Sequence, residues 1–498
     1  MTPALSENMS GSEDARPDAS REELLAEIES LRLECRAKDE TIKALQERIK
    51  ELEGRVRMNS TNSSKPPSSD GYTKPSPKSQ RARSGKRPGG QQGHEGHNMR
   101  PPAEPDEVIR CIPDRCSGCQ GLAGCISGQA FEVAESRYVV DAVMEVRVRE
   151  YRAMRVKSCP MDGRRGVSNG SCGQFPEGVR AHVQYGDSFA AVAGILNTYG
   201  AVSTSRASDL IRSMFGVSLS VGTVDSMVRR CAECVEESLE GVREKIVECD
   251  VSNFDETGVR CGGKLMWVHS SSTPRFTYQT VSEKRGTEGM YDNGVLKDFQ
   301  GIAVHDCWRP YWNFWRAKHA VCCAHLLREL TGVEEMEPGH EWPRRFRSLL
   351  LDMKSEKEAA QANGKDSLDA KRLQHFDDLY DEILQLADSE CPPPPDPGVK
   401  RRGRRKLGKE RALIERLRTL KGSVTLFAHD FRAPFDNNLA ERDVRNLKTK
   451  VKVSGCFRTK EGARRHLQVM SYISTARKQG GNAFESLVTA LSNHQDLS

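Results

Sequence analysis

From Leu24 the chain alternates steps of four and three: Leu24, Ile28, Leu31, Cys35, Lys38, Ile42, Leu45, Ile49, Leu52 and Val56. This heptad seam predicts a coiled coil over 22–58, with Ile and Val filling most of one seam position and Leu most of the other, the parallel two-stranded pattern. Lys38 weakens the seam or pins its register. The flanks are polar and offer no other surface, so the seam calls for a second helix. The pattern then stops. "NSTNSSKPPSSDGYTKPSPKSQRARSGKRPGGQQGHEGH" has almost no large apolar side chains, and it predicts a basic disordered linker over 59–105.

Residues 106–180 return to a period of two in "FEVAESRYVVDAVMEVRVREYRAMRV", apolar at Val139, Val143 and Val146, which predicts strands. Helical spacing follows over 181–247, with Ser203 and Ser220 as N-caps and Gly216 as a stop. Short helices around a Gly-containing turn suit a helix-turn-helix or a plain helical packing domain. Over 248–334 "VECDVSNFDETGV", "KLMWVHSSS" and "RFTYQTV" predict a three-strand meander. A helix, the buried strand "GIAVHDCW", and a strand and helix in "HAVCCAHLLRELTG" come next. Residues 335–425 predict a charged helical insertion broken by "CPPPPDPG" and leading into the basic loop "KRRGRRKLGKER"; 426–490 are helical again. The chain is therefore expected to be multidomain α/β.

Composition narrows this little. The 498 residues are too many for one ordinary core, and the net charge is only +6. No stretch is apolar enough for a membrane span, and the first twenty residues are too polar for a signal peptide. With sixteen cysteines this predicts a reducing, cytoplasmic setting in which thiols bind metal or stay free. Cys116 and Cys119 have the spacing of one zinc-ribbon knuckle. The second pair reads Cys159 and Asp162, an aspartate where a cysteine is expected. Two readings stay open: structural Zn²⁺ on Cys116, Cys119, Cys159 and Asp162, with Cys111, Cys125 or Cys172 as substitutes, and a ribbon without metal.

The candidate chemistry lies in three acids. Asp255 ends a predicted strand in "FDETG", Asp306 ends the buried strand, and Glu441 starts a helix after "DNN". Singly, each reads as a cap or as half of an ion pair. Together, three carboxylates on one sheet edge and one helix suit two Mg²⁺ ions about 4 Å apart, acting on a phosphodiester. Arg442, Arg445, Lys448, Lys450 and Lys452 follow Glu441 and are expected to contact phosphate. "CCAH" at 322–325 and the aromatics Trp308, Tyr311, Trp312, Phe314 and Trp315 are read mainly as core. For these aromatics, stacking on an unpaired base is the alternative.

The order of elements after residue 248 suits a ribonuclease-H-like core. "NSSKPPSSDGYTK", "FDETGVRCGGKLMWVH", "GIAVHDCWRPY", "CCAHLLREL" and "PFDNNLAERDVRNLKTKVKVSGCFRT" resemble, in the same order, the insertion sequence 66 transposases. The resemblance implies a ribonuclease-H-like catalytic core with a helical insertion, and with the modules read above it makes the expected order an N-terminal coiled coil, a zinc-ribbon-like module, a helical, helix-turn-helix-like domain and that core. It implies Mg²⁺- or Mn²⁺-dependent cleavage of element ends and 3′-OH transfer into target DNA, with the triad on Asp255, Asp306 and Glu441. Expected partners are element and target DNA, a second copy through the coiled coil, and accessory proteins of the element. A catalytically silent DNA-binding regulator is the alternative, and a nuclease that cuts without joining is a third reading.

Overall fold

The computed structural model describes residues 20–63, 104–127, 131–140, 142, 144–157, 170–394 and 407–496. In chain order the first helix, α1 (Arg21–Val56), opens on a capping box. The Ser20 side chain accepts from the Glu23 N–H, and the Glu23 carboxylate accepts from the Ser20 N–H. Two short helices follow, α2 (Asp114–Ser117) and α3 (Leu122–Ser127). Next come α4 (Asp187–Asn197), α5 (Thr204–Phe215), α6 (Val221–Cys234) and α7 (Glu236–Val247). Strands β1 (Val251–Cys261), β2 (Lys264–Ser272) and β3 (Thr277–Ser282) lead to α8 (Thr287–Asn293), β4 (Ile302–His305) and β5 (Lys318–Val321). The remaining helices are α9 (Cys323–Met336), α10 (Trp342–Ala362), α11 (Ala370–Glu390), α12 (Lys409–Thr419), α13 (Lys421–Val424), α14 (Leu426–His429), α15 (Asn438–Ser454), α16 (Lys460–Lys478) and α17 (Ala483–Asp496). The chain is mixed α/β, with one mixed sheet in the order β3-β2-β1-β4-β5. Among the described residues no helix is long and apolar enough to cross a membrane.

Contacts divide the chain into two units. One holds the described residues of Met1–Pro77 with Asp250–Asn253 and Gln300–Asn438; the other holds those of Lys78–Cys249 with Phe254–Phe299 and Leu439–Ser498. In the first, β4 and β5 run parallel, and Val251–Asn253 of β1 pair in parallel with Ile302–Val304. Hydrophobic side chains of β4, β5 and α9 share one core with the inserted helices: Ile302, Val304, Leu326, Leu327 and Leu330 lie with Trp342, Phe346, Tyr380, Ile414 and Leu417. The insertion thus completes a layer over these strands. Asn59–Ser63 fold into a tight polar turn against α9. Asn62 Oδ1 accepts from the Asn59 N–H at 2.9 Å, and Asn62 Nδ2 donates to Glu335 at 2.7 Å. An added Cβ at Gly332 would overlap the Asn62 carbonyl oxygen, so only glycine admits this approach.

In the second unit, Ser203 and Ser220 cap α5 and α6 as expected, and Gly216 ends α5 at φ 68°. Their apolar faces close on α4 and on Val469, Ile473, Leu487 and Leu491 from the last two helices. Arg229 and Arg230 of α6 are tied to Glu233 and Asp187. Strand β3 is a sheet edge, and α16 covers it: the Thr277 and Gln279 N–H groups donate to the hydroxyls of Thr475 and Ser471, both at 3.0 Å.

One expectation is corrected. Over 131–157 no described residue lies in a regular strand; at its end Met154–Val156 hydrogen-bond with Gly170–Gly173 around an isolated antiparallel bridge between Arg155 and Cys172. Val139 and Val148 are 87% and 90% exposed. The alternation is there, but among the described residues no ladder partner and no second layer cover its apolar face, so period two alone does not make a strand. Val143 lies outside the described residues.

Candidate active site

Asp255 stands on β1, where Phe254 and Glu256 face the other way by the period of a strand. Phe254 is buried edge-to-face on Phe299 at 5.6 Å. Glu256, with a side chain only 3% exposed, pairs with Arg285 at 2.9 Å, and Arg285 lies 4.7 Å over the Trp267 ring. These contacts on the opposite face fix the strand. Asp255 Oδ1 accepts from the Glu256 N–H at 2.9 Å.

Asp306 directly follows β4, and its Oδ1 accepts from the Trp308 N–H at 2.8 Å. The preceding His305 is fully buried and stacked on Tyr311 at 4.2 Å. Its Nδ1–H donates to the Asp306 carbonyl, and its Nε2 lies 2.8 Å from His319 Nδ1. Burial, reinforced by His319, pushes His305 down to about 3, so the ring is a neutral brace for the Asp306 backbone. Tyr311 and Phe314 are core residues, but Trp315 is 80% exposed, with Arg316 5.6 Å from its ring.

The "DNN" turn divides its work. Asp436 Oδ1 accepts from the Asn438 N–H at 3.0 Å and so caps α15. Asn437 is 2% exposed and works differently: its Oδ1 accepts from Asn253 Nδ2 of β1 at 2.8 Å, and its N–H donates to Cys322 Sγ at 3.2 Å. Glu441 lies in the first turn of α15, half-buried, 3.8 Å from Arg445. Arg445, Lys448 and Lys452 continue its stripe at helical spacing, and Arg442 is exposed beside it. Lys450 departs from its expected role. It falls three residues after Leu447 on the buried face, 8% exposed, with Nζ 4.3 Å over the Phe457 ring and burial pushing its ammonium pKa down. Its side chain thus sits on the packed face of α15, unlike the exposed cations expected to meet phosphate.

Sequence reasoning missed Asp443. Its carboxylate accepts from Ser272 at 2.7 Å, Thr277 at 2.9 Å and Ser474 at 3.4 Å, and pairs with Lys478 at 2.7 Å. The two charged side chains are 11% and 14% exposed. This hub fastens the back of α15 to β2, β3 and α16, and so sets where Glu441 points. Nothing local in "ERDVR" marks it, because its partners lie up to 171 residues away.

Asp306 belongs to the first unit, Asp255 and Glu441 to the second. The Transposase IS66 family model matches residues 182–465, more than half of the chain. The chain belongs to the IS66 transposase family. The match takes in all three acids, α5 and α6, and the whole insertion. Residues 13–100 match a second model, a family of unknown function, DUF6444. No curated protein matches the chain.

In the cysteine-bearing segment, Cys116 lies in α2 and the Cys119 N–H donates to the Cys116 carbonyl at 3.1 Å, so a tight backbone turn joins the two thiols. Cys159 and Asp162 lie outside the described residues. Elsewhere, Cys322 and Cys323 are buried, as the core reading expects. A His325 ring nitrogen comes within 4.8 Å of Cys322 Sγ.

Proposed function

We propose that this family member is a DDE-type DNA transposase that cuts the ends of its element and joins the freed 3′-OH to target DNA. The observation that carries the reading is the parallel pairing of β1 with β4: β1 runs on from its paired residues to Asp255, and β4 ends at His305, directly before Asp306. The order β3-β2-β1-β4-β5, with an antiparallel hairpin on one side and parallel strands on the other, supports a ribonuclease-H-like core. The inserted helices interrupt it before Glu441.

An all-carboxylate donor set is hard and anionic, which fits Mg²⁺ or Mn²⁺. Asp255, Asp306 and Glu441 would hold these ions, which supply Lewis-acid activation of the attacking oxygen and stabilise the leaving oxygen. Backbone N–H groups orient the two aspartates, and the Asp443 hub orients α15. Arg442, Arg445, Lys448 and Lys452 bind backbone phosphates without reading sequence. Zn²⁺ on the Cys116–Cys119 knuckle would be structural. The heptad side chains of α1, among them Leu31 at 53% and Leu45 at 58% exposed, support a homodimer through a parallel coil.

The test is strand cleavage on a duplex carrying the DNA that flanks the gene, with Mg²⁺. Asp255→Asn and Glu441→Gln are expected to lose cleavage and to keep DNA binding; full cleavage by either variant overturns the assignment. The exposed cationic stripe also suits a silent DNA-binding regulator. Absence of Mg²⁺-dependent nicking by the parent chain selects that reading.

A further inference from the structure

A second cationic feature lies inside the first unit, apart from the α15 stripe. The β4–β5 register pairs His305 with Val321, so Asp306 and Cys322 follow side by side at the strand ends. The Cys322 N–H donates to the His305 carbonyl at 2.8 Å, and α9 begins at the next residue. One turn on is His325; Arg328 and Glu329 follow at i+3 and i+4 on the same face. Helix α12 of the insertion packs on α9 and brings Arg416 to this face, where its guanidinium pairs with Glu329. The Arg416 side chain is 29% exposed and that of Glu329 is 21%.

Two features make this more than a packing contact. The Nε atoms of Arg328 and Arg416 are buried and have no hydrogen-bond partner among the described residues. A buried donor without an acceptor is costly, more so when it carries charge. The neighbourhood also borders Asp306, because Cys322 at the head of α9 lies beside it in the strand register. Burial works against the Arg416 charge, yet Glu329, Cys307 and Asp306 favour it and its pKa is raised. His325 is driven to about 3, by burial first and then by Arg328 and Arg416, so it adds no charge.

We propose that Arg328 and Arg416 form a phosphate-binding pair beside Asp306, with Glu329 holding Arg416 in place. The ligand class is a backbone phosphodiester of the strand being cut. The proposal rests on the reading of Asp306 as a metal-binding acid. Guanidinium forks suit this role, because they meet phosphate oxygens with paired, charge-assisted hydrogen bonds and stay charged when partly buried. The helical insertion then has a part in DNA binding, since it delivers one of the two arginines.

The test uses the full chain and a fluorescent duplex of the flanking DNA, with binding measured in Ca²⁺ over a range of salt and cleavage measured in Mg²⁺. Arg328→Met, and Arg416→Met combined with Glu329→Gln so that no carboxylate is stranded, are each expected to lower the slope of log K against log salt by about one. Each should also slow cleavage at least tenfold. A folded Arg328→Met with the parent's slope and rate overturns the proposal. That variant leaves the Arg416–Glu329 pair intact and decides the matter if the double variant does not fold. Asp306→Asn, run alongside, separates the two readings: it should abolish cleavage and leave the slope unchanged. Cleavage by Asp306→Asn would sink the carboxylate assignment, while the slopes of the arginine variants still report on phosphate binding.

Discussion

Helices α9 and α15 both begin next to residues assigned to chemistry, yet they are held in opposite ways. Helix α9 buries Cys323, Leu326, Leu327, Leu330 and Val333 in a core shared with the inserted helices. Its polar face keeps His325, Arg328 and Glu329. Helix α15 has a thinner apolar face, Ala440, Val444 and Leu447, and relies on the buried Asp443–Lys478 pair with its hydroxyl donors. An apolar anchor is graded, because each lost methylene costs a little and neighbours relax. A buried charged hub is not graded: with one partner removed, the other is left charged where water cannot reach it.

The largest expected effect tests that contrast. Asp443→Ala should cost about 3–5 kcal/mol in urea unfolding, since Lys478 is stranded. Asp443→Leu with Lys478→Met should recover much of this loss; a double variant as unstable as Asp443→Ala would show that charge pairing is not what anchors α15.

The next effect probes α9 where it admits the N-terminal turn. Gly332→Ala should displace Asn62, at about 1–3 kcal/mol of overpacking. Because the apolar face is untouched, the loss should be local and should appear as faster proteolysis at residues 57–63. Unchanged cleavage there would refute the close approach.

The smallest effect separates cations on α15 itself. Arg445→Ala should reduce the salt slope of DNA binding by about one. Lys450→Met should leave the slope unchanged and alter stability by less than about 1 kcal/mol, because its stem already packs on Phe457. A slope change with Lys450→Met would return that residue to the phosphate contacts.

Much of this was legible in the chain itself. The capping serines 203 and 220, the stop at Gly216, the three strands, Asp306 after a strand and Glu441 at a helix start stand where local pattern puts them, whereas Asp255, expected at a strand end, lies within β1, which runs on to Cys261. Such features depend on residues within about a turn of each other, so their cause is written contiguously. The cysteine-bearing segment marks the limit. Its alternation proposes a face, but a face becomes a strand only when another strand and layer cover it. Asn437, Asp443, Lys450 and Arg416 mark the same limit at the site. Whether a polar side chain there is solvated, buried, paired or aimed at Asp306 depends on partners brought in from distant segments. The Asp443 hub joins residues 166 and 171 positions apart. Sequence alone determined the elements and the places of the acids, because short-range sterics and hydrogen bonding decide those. Only the tertiary structure decided which charges are hubs, which are packed and which stay exposed, because burial and long-range pairing exist only once the layers have closed.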